Sequence, residues 1–280
     1  MTWDVRRDQL RIALMSIEGT NNDEELLAAL RALGAPAEIV QLKQFEGRDV
    51  ERAQRRDLFD FHALFFPGGF SAGDYVRAGA IFAARVRATM GPALEEFVRS
   101  GHLVGGVCNG FQVLTELGLL PGRPDGRLGK PQAALMTNDS GHHECRPTFL
   151  RWEGGRFAPL QSLPPGERYM IPSSHGEGKL VLSGEPGSRL EDLERNGQVL
   201  FRYVRPDGGP AEYPWNPNGS IGDIAAITNP MGNIFGIMPH PERSFYRIQH
   251  PDWTRTGLAE GPGDGHLFLE SIVRYAEGRD

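Results

Sequence analysis

Short apolar runs alternate with longer amphipathic segments in the first part of the chain. The apolar runs predict strands at 11–17, 37–42, 62–66 and 102–107. The segments between them predict helices: one with a leucine stripe that stops at Gly34, a long one over about 76–100 that is interrupted near Gly91, and one that begins at 111–117. Strands that alternate with helices are typical of βαβ units, so this part predicts a parallel sheet with right-handed crossovers.

Beyond Gly118 proline and glycine become frequent and helical periodicity fades. Short strand-like segments follow at 132–136, 148–152, 178–182, 199–204 and 223–228. We interpret them as an extension of the sheet plus an antiparallel lobe. A further buried strand over 233–238 and an amphipathic helix over 265–275 complete the predicted elements.

The pattern contains no internal repeat and no convincing linker. It therefore predicts an α/β fold with a single domain over 1–280, including a polar N-terminal extension at 1–10. The expected architecture is a mostly parallel central sheet flanked by helices, with an additional antiparallel β lobe.

Composition and charge exclude several classes of function. A chain of 280 residues with 39% hydrophobic residues can bury one large core without disulfides. The formal charge of −6 gives no basic footprint for nucleic acid or an anionic membrane surface. No apolar run reaches the roughly 20 residues that span a bilayer, and the N-terminus does not resemble a signal peptide. With only two cysteines, a disulfide framework or zinc site is not expected, and the expected compartment is the cytoplasm.

The stretch over 105–112 (GGVCNGFQ) is the most informative in the chain. A buried strand ends at Cys108, which has Gly106 and Gly110 on either side, and a helix starts at once. This is the pattern of a nucleophile elbow with sulfur in place of oxygen. The turn needs small flanking residues, and a helix N-terminus favours the reactive thiolate. Cys145 has no such setting and is taken as structural.

Other interpretations of this stretch are weaker. Cys108 could be a small apolar residue that packs a glycine-rich turn, but glycines at both required positions favour the nucleophile. Dinucleotide or phosphate binding is disfavoured, since neither the G-x-G-x-x-G spacing nor the P-loop pattern is present.

A thiol nucleophile needs a base, and His240 is the best candidate among eight histidines. It follows a buried strand in the order Pro239, His240, Pro241, Glu242, which predicts that His240 and Glu242 project together from an extended backbone. By itself the pair could be a loop histidine and a surface glutamate; the neighbouring elbow favours catalysis. A metal site at 142–143 is not expected, because no third ligand has suitable spacing.

These motifs resemble the class I, triad-type glutamine amidotransferases, and among them the glutaminase subunits of phosphoribosylformylglycinamidine synthase. The similarity extends from Ile12 to about Tyr275. Its strongest blocks are 67–80 (PGGFSAGDYVRAGA), 106–122 (GVCNGFQVLTELGLLPG), 175–178 (HGEG), 216–220 (NPNGS) and 232–243 (GNIFGIMPHPER).

The resemblance implies a flavodoxin-like fold and a set of roles. Cys108 is expected to be the nucleophile, His240 the general base and acid, and Glu242 the residue that orients it. The implied oxyanion hole consists of the backbone N–H groups of Gly69 and Asn109. The expected contacts to glutamine are Gln112, Ser174, His175, Gly176, Glu177 and Asp74.

The resemblance also implies partners and cofactors. Ammonia is expected to pass to a separate synthetase subunit that uses ATP and Mg²⁺, and a small accessory subunit is also possible in the family; this chain itself needs no cofactor or metal. Low activity alone and activation in the complex are expected. The chain is longer than the shortest family members, with the extra length expected at 184–195 and 206–215. This extra length bears on how the partner subunit docks more than on the chemistry of the site. Two alternatives stay open: a stand-alone γ-glutamyl cysteine hydrolase, and a catalytically silent subunit that binds glutamine and regulates a synthetase.

Overall fold

The computed structural model describes residues 5–257 and 260–278. Within them the chain forms thirteen strands: β1 Ile12–Ser16, β2 Ala37–Gln41, β3 Ala63–Phe66, β4 Leu103–Val107, β5 Ala133–Thr137, β6 Glu144–Arg146, β7 Phe149–Trp152, β8 Arg168–Met170, β9 Ser173–His175, β10 Glu177–Leu182, β11 Val199–Val204, β12 Ile224–Thr228 and β13 Ile234–Ile237. The α-helices are α1 Asp23–Ala32, α2 Leu42–Glu46, α3 Ala80–Arg99, α4 Asn109–Glu116, α5 Leu190–Arg195, α6 Trp253–Thr256 and α7 Asp264–Ala276.

Nine of these strands form one mixed sheet in the order β2-β1-β3-β4-β13-β12-β11-β7-β8. The five strands from β2 to β13 pair in parallel, and the remaining four continue the sheet with antiparallel pairing. Two small antiparallel sheets, β5 with β10 and β6 with β9, form the additional lobe. The predicted α/β fold class is therefore confirmed, including the antiparallel lobe.

The strands at the centre of the sheet are buried on both faces. Every residue of β1, β3, β4, β12 and β13 is buried, because helices cover the sheet, as in other α/β folds. This two-sided burial is why these strands are continuous apolar runs in the sequence. The buried apolar side chains join into one hydrophobic core.

The long helix α3 shows the interruption that the sequence predicts. α3 is kinked at Met90, whose φ of −139° and ψ of 18° are not helical, just before Pro92. This is the interruption that the sequence predicts near Gly91. In the described part of the chain, no helix is both long and apolar enough to cross a membrane.

The predicted N-terminal extension falls partly on residues 1–4, which lie outside the described residues. From Val5 onward the segment packs against the domain. Arg7 donates to the carboxylates of Glu270 and Glu277 on or next to α7, and Leu10 is fully buried. The burial of Leu10 and these ion pairs attach the segment to the last helix.

Candidate active site

Cys108 lies in a strained turn between β4 and α4. Its φ of 51° and ψ of −107° lie in a region that residues other than glycine rarely adopt. The turn is held on both sides: the Cys108 N–H donates to the Ile237 carbonyl at 2.8 Å, and the Cys108 carbonyl accepts from the Gln112 N–H at 3.2 Å. The thiol is thereby fixed at the N-terminus of α4, where unpaired N–H groups favour an anion.

The glycines on either side of Cys108 allow this turn to form. A Cβ at Gly106 would lie 2.6 Å from the backbone of Gly110, and a Cβ at Gly110 would lie 1.8 Å from the carbonyl oxygen of Phe66. No side chain fits at either position without moving the backbone of a neighbouring element. The need for small flanking residues follows directly from these contacts.

We expect Gly110→Ala to lower the free energy of unfolding by about 3 kcal/mol or more, because the new methyl group overlaps a carbonyl of β3 that cannot rotate away. Urea denaturation followed by circular dichroism measures the change. Gly91→Ala is the matched control: its Cβ meets only the end of the Leu128 side chain at 3.4 Å, so a helical alanine there should be neutral or slightly stabilising. Equal effects of the two substitutions would contradict this account of the elbow.

His240 and Glu242 form a buried pair just after β13. The His240 Nδ1 atom lies 2.6 Å from Glu242 Oε1, and each side chain is 1% exposed. The backbone N–H of His240 donates to the Pro172 carbonyl at 2.8 Å. The sequence predicted an extended backbone through Glu242. Instead Pro241–Ser244 form a 3₁₀ turn, because proline is well suited to the first position of a helical turn.

The elbow and this pair meet because β4 and β13 are adjacent parallel strands whose carboxyl ends lie at the same edge. Gly68 packs against both: a Cβ there would lie 2.8 Å from His240 Cε1 and 3.3 Å from Cys108 Cβ. Burial by itself lowers the pKa of His240, but the Glu242 carboxylate and Cys108 raise it to about 10. Since Nδ1 is engaged with Glu242, Nε2 is the nitrogen left for Cys108.

The two predicted oxyanion donors are close to Cys108 along the chain or through a neighbour: Asn109 directly follows Cys108, and Gly69 directly follows Gly68, which packs against Cys108. Asn109 is the first residue of α4, so its N–H has no acceptor within the helix. Gly69 has a φ of 127°, which favours glycine, and a Cβ there would lie 3.0 Å from the Asn21 backbone nitrogen. Asn109 thus offers a backbone donor next to the nucleophile, and Gly69 is the predicted second donor. Their role at an oxyanion stays a prediction.

Three of the residues predicted to contact substrate are joined to the elbow by hydrogen bonds. The Cys108 thiol lies 3.6 Å from the Ser174 carbonyl, and the Ser174 hydroxyl lies 3.1 Å from His143 Nε2. Gln112 Nε2 donates to the Glu177 carbonyl at 2.6 Å. The 174–177 segment therefore lies against the elbow, and its contact with substrate stays a prediction.

His175 points away from solvent and supports this segment. Burial, followed by the effect of nearby His240, lowers the pKa of His175 to about 3, so the ring is neutral. Its nitrogens lie 3.2 Å from Asn138 Oδ1 and 3.4 Å from Asn218 Nδ2. Asn138 also takes part through its backbone, with its N–H donating to the Gly176 carbonyl. Asn138 has no role predicted from the sequence, and Asn218 is marked there only as part of the 216–220 block.

Asp74 and Arg77, from the same sequence block, face different partners. Asp74 Oδ1 accepts from Asn109 Nδ2 at 3.2 Å and from the Gly79 N–H at 3.3 Å, and burial raises the pKa of the Asp74 carboxyl. Arg77 forms a two-point ion pair with Glu116, with Nε–Oε1 at 2.5 Å. Asp74 thus reaches the site, whereas Arg77 is bound to α4.

His142 and His143 do not come together as metal ligands. His142 Nδ1 contacts the Ser140 carbonyl, while His143 contacts Ser174. Among residues 5–257 and 260–278, no three His, Cys, Asp or Glu side chains are grouped in a way that could hold a metal ion.

Comparison with known proteins identifies close relatives. The family of CobB/CobQ-like glutamine amidotransferase domains matches residues 9–276. Phosphoribosylformylglycinamidine synthase subunit PurQ of Archaeoglobus fulgidus is 46% identical over 274 residues, which cover 97% of this chain and 98% of the relative. The Thermus thermophilus protein of the same name is 40% identical over 95% of this chain and 98% of its own length. Among solved structures, a chain of PurLQS from Thermotoga maritima is 30% identical with a TM-score of 0.68, covering 95% of this chain and 99% of the other.

Proposed function

The chain belongs to the CobB/CobQ-like glutamine amidotransferase family, and from its PurQ relatives we infer that the protein is the glutaminase subunit of phosphoribosylformylglycinamidine synthase. It hydrolyses L-glutamine and supplies ammonia for the conversion of formylglycinamide ribonucleotide to the amidine in purine biosynthesis. The observation that carries the chemistry is the strained Cys108 at the N-terminus of α4 beside the buried His240–Glu242 pair.

Catalysis begins with attack by the Cys108 thiolate on the γ-carboxamide carbon of glutamine. A C–S bond forms, and the carbonyl π electrons move to oxygen, where the N–H groups of Gly69 and Asn109 stabilise the charge. His240, whose raised pKa keeps a proton available, gives that proton to the amide nitrogen. The C–N bond breaks and ammonia leaves, so Cys108 now carries a γ-glutamyl thioester.

The second half of the reaction releases glutamate. The deprotonated His240 takes a proton from a water molecule, which attacks the thioester carbon through a second oxyanion intermediate. The C–S bond then breaks, and Cys108 returns as a thiolate beside protonated His240. Glu242 holds the ring through Nδ1 during both half-reactions, which keeps Nε2 directed at the reacting atoms.

The synthetase subunit is the proposed recipient of ammonia, and a small accessory subunit completes the proposed assembly. A surface near the site supports docking there. Phe70, Tyr75 and Val76 follow Gly69 and are 56%, 89% and 71% exposed. Exposed large apolar side chains grouped on one segment are typical of a contact surface.

The cofactors of the reaction are proposed to belong to the partner. Glutamine hydrolysis by Cys108, His240 and Glu242 requires no cofactor, whereas ATP and Mg²⁺ serve amidine formation in the synthetase. The proposed location is the cytoplasm, where a reducing environment keeps Cys108 and the exposed Cys145 as free thiols.

Reconstitution with the synthetase subunit tests this function. We expect slow glutamine hydrolysis by the chain alone, and faster hydrolysis coupled to ATP-dependent amidine formation once the synthetase is added. An electrophilic glutamine analogue should label Cys108, as located by mass spectrometry, and abolish glutamine-dependent but not ammonia-dependent synthesis. Rapid turnover of γ-glutamyl peptides without the synthetase would indicate the stand-alone hydrolase instead. Absence of label on Cys108 with and without the synthetase would exclude the mechanism.

A further inference from the structure

The side chain of Asn109 is held at three points. It is fully buried; its Oδ1 accepts from the Ser71 N–H at 3.3 Å, and its Nδ2 donates to Gln112 Oε1 at 2.9 Å and to Asp74 Oδ1 at 3.2 Å. A buried primary amide with this many partners has one preferred orientation. Because the side chain and the backbone N–H belong to the same first residue of α4, restraining the side chain also restrains the direction of that N–H.

The position of the Asp74 carboxylate is fixed by its backbone conformation and by a hydrogen bond to the start of α3. Its φ of 49° places the backbone in the left-handed region, which asparagine and aspartate tolerate better than most residues. Its Oδ1 also accepts from the N–H of Gly79, which caps the N-terminus of α3. Glu177 accepts the neighbouring Ala78 N–H at 3.1 Å. The 20-residue helix α3 therefore provides a rigid base for the Asp74 carboxylate.

These bonds bear on the sequence-based expectation that Asp74 binds glutamine. Asp74 Oδ1 already accepts from two protein donors, the Asn109 side chain and the Gly79 N–H. A ligand ammonium group at Oδ1 would have to compete with both. The geometry favours a contact with the catalytic machinery over a contact with substrate.

We propose that Asp74 is a positioning residue for glutamine hydrolysis, which holds the Asn109 side chain so that the Asn109 backbone N–H is directed at the oxyanion. The proposal rests on the proposed function, since the oxyanion is that of the glutamine reaction. It gives Asp74 an effect on the rate of the chemical step and little effect on the binding of glutamine.

Two substitutions separate this role from the alternatives. Asp74→Asn keeps an oxygen that can accept from Asn109 and Gly79, while Asp74→Gly removes it; both residues tolerate the positive φ. The protein, reconstituted with the synthetase, is assayed for kcat and KM with glutamine. We expect kcat of Asp74→Gly to fall about 10- to 100-fold, somewhat less than the loss of an oxyanion donor itself. We expect KM to stay within about twofold and Asp74→Asn to retain most of the wild-type kcat.

A second measurement separates lost positioning from general damage. Alkylation of Cys108 by iodoacetamide needs the thiolate but no oxyanion hole, so its rate should be the same in wild type and Asp74→Gly. A slower alkylation in step with kcat would overturn the proposal in favour of a disordered elbow. A large rise of KM in Asp74→Asn would indicate that Asp74 binds glutamine. An equal loss of kcat in Asp74→Asn and Asp74→Gly would show that the hydrogen-bond acceptor at position 74 is not what positions Asn109. Failure of the wild type to hydrolyse glutamine with the synthetase would count against the proposed function itself.

Discussion

Replacing Cys108 with alanine is expected to lower glutamine hydrolysis by the reconstituted synthase by at least about 10⁴-fold, since the covalent route loses its nucleophile. The remaining groups are expected still to bind glutamine and polarise its carbonyl, but an alanine methyl group cannot form the thioester. Ammonia release from glutamine, measured by a coupled assay, gives the rate. KM cannot be compared once turnover is lost, so glutamine binding is followed by calorimetry.

The chain contains a natural control for this substitution. Cys145, the second cysteine, is exposed on β6 and pairs in register with Ser174. Cys145→Ser should leave hydrolysis within about twofold of wild type, as expected for a surface substitution. Synthesis from added ammonia should continue in the complex with Cys108→Ala, which shows that the loss is confined to the glutaminase site. Retention of more than a few per cent of hydrolysis by Cys108→Ala would contradict a covalent mechanism.

The parallel half of the sheet was predictable because strands buried on both faces are continuous apolar runs in the sequence. β3 and β4 are continuous apolar runs, and each is followed by glycines at the site: Gly68 after β3 and Gly110 after Cys108. Glycines were needed there for a local reason, the close approach of neighbouring backbones. The elbow, and the carboxyl ends of the strands where the site was expected, could therefore be located from residues only a few positions apart in the sequence.

The antiparallel part was harder, because its elements are short. β6, β8 and β9 have three residues each, too few for a period of two to be recognised. α2 and α5, with five and six residues, were missed for the same reason. β9 is the strand that carries Ser174 and His175, so their predicted contact with substrate came mainly from the family resemblance, and it stays a prediction.

Contacts between distant positions were not predictable from local pattern. Asn138 bonds to His175, 37 positions away, and Asn109 bonds to Asp74, 35 positions away. From its local sequence, each asparagine is predicted only to be a turn or helix-cap residue. Their importance arises only when folding places polar groups where water cannot reach, so that each buried donor requires a partner within the protein.

His240→Ala is expected to lower kcat for glutamine hydrolysis by about 10²- to 10⁴-fold while KM changes little, because in the proposed mechanism the ring transfers protons in both half-reactions. The wild-type ring is protonated at neutral pH, since the facing Glu242 carboxylate and Cys108 raise the pKa of His240 against the effect of burial. Removing the ring removes this positive charge. Alkylation of Cys108 by iodoacetamide at pH 7 should therefore also slow.

Hydrolysis and alkylation rates together distinguish the role of His240 from that of Asp74. Asp74→Gly should slow hydrolysis but not alkylation, whereas His240→Ala should slow both. His250→Ala serves as the histidine control, because His250 lies on another segment and its Nδ1 accepts from the Asp252 N–H; its kinetics should match wild type. If His240→Ala alkylated as fast as wild type at pH 7, the charge of the ring would not be what maintains the thiolate, and the dipole of α4 would have to do so alone. Undiminished ammonia release would refute the assignment of His240 as the base.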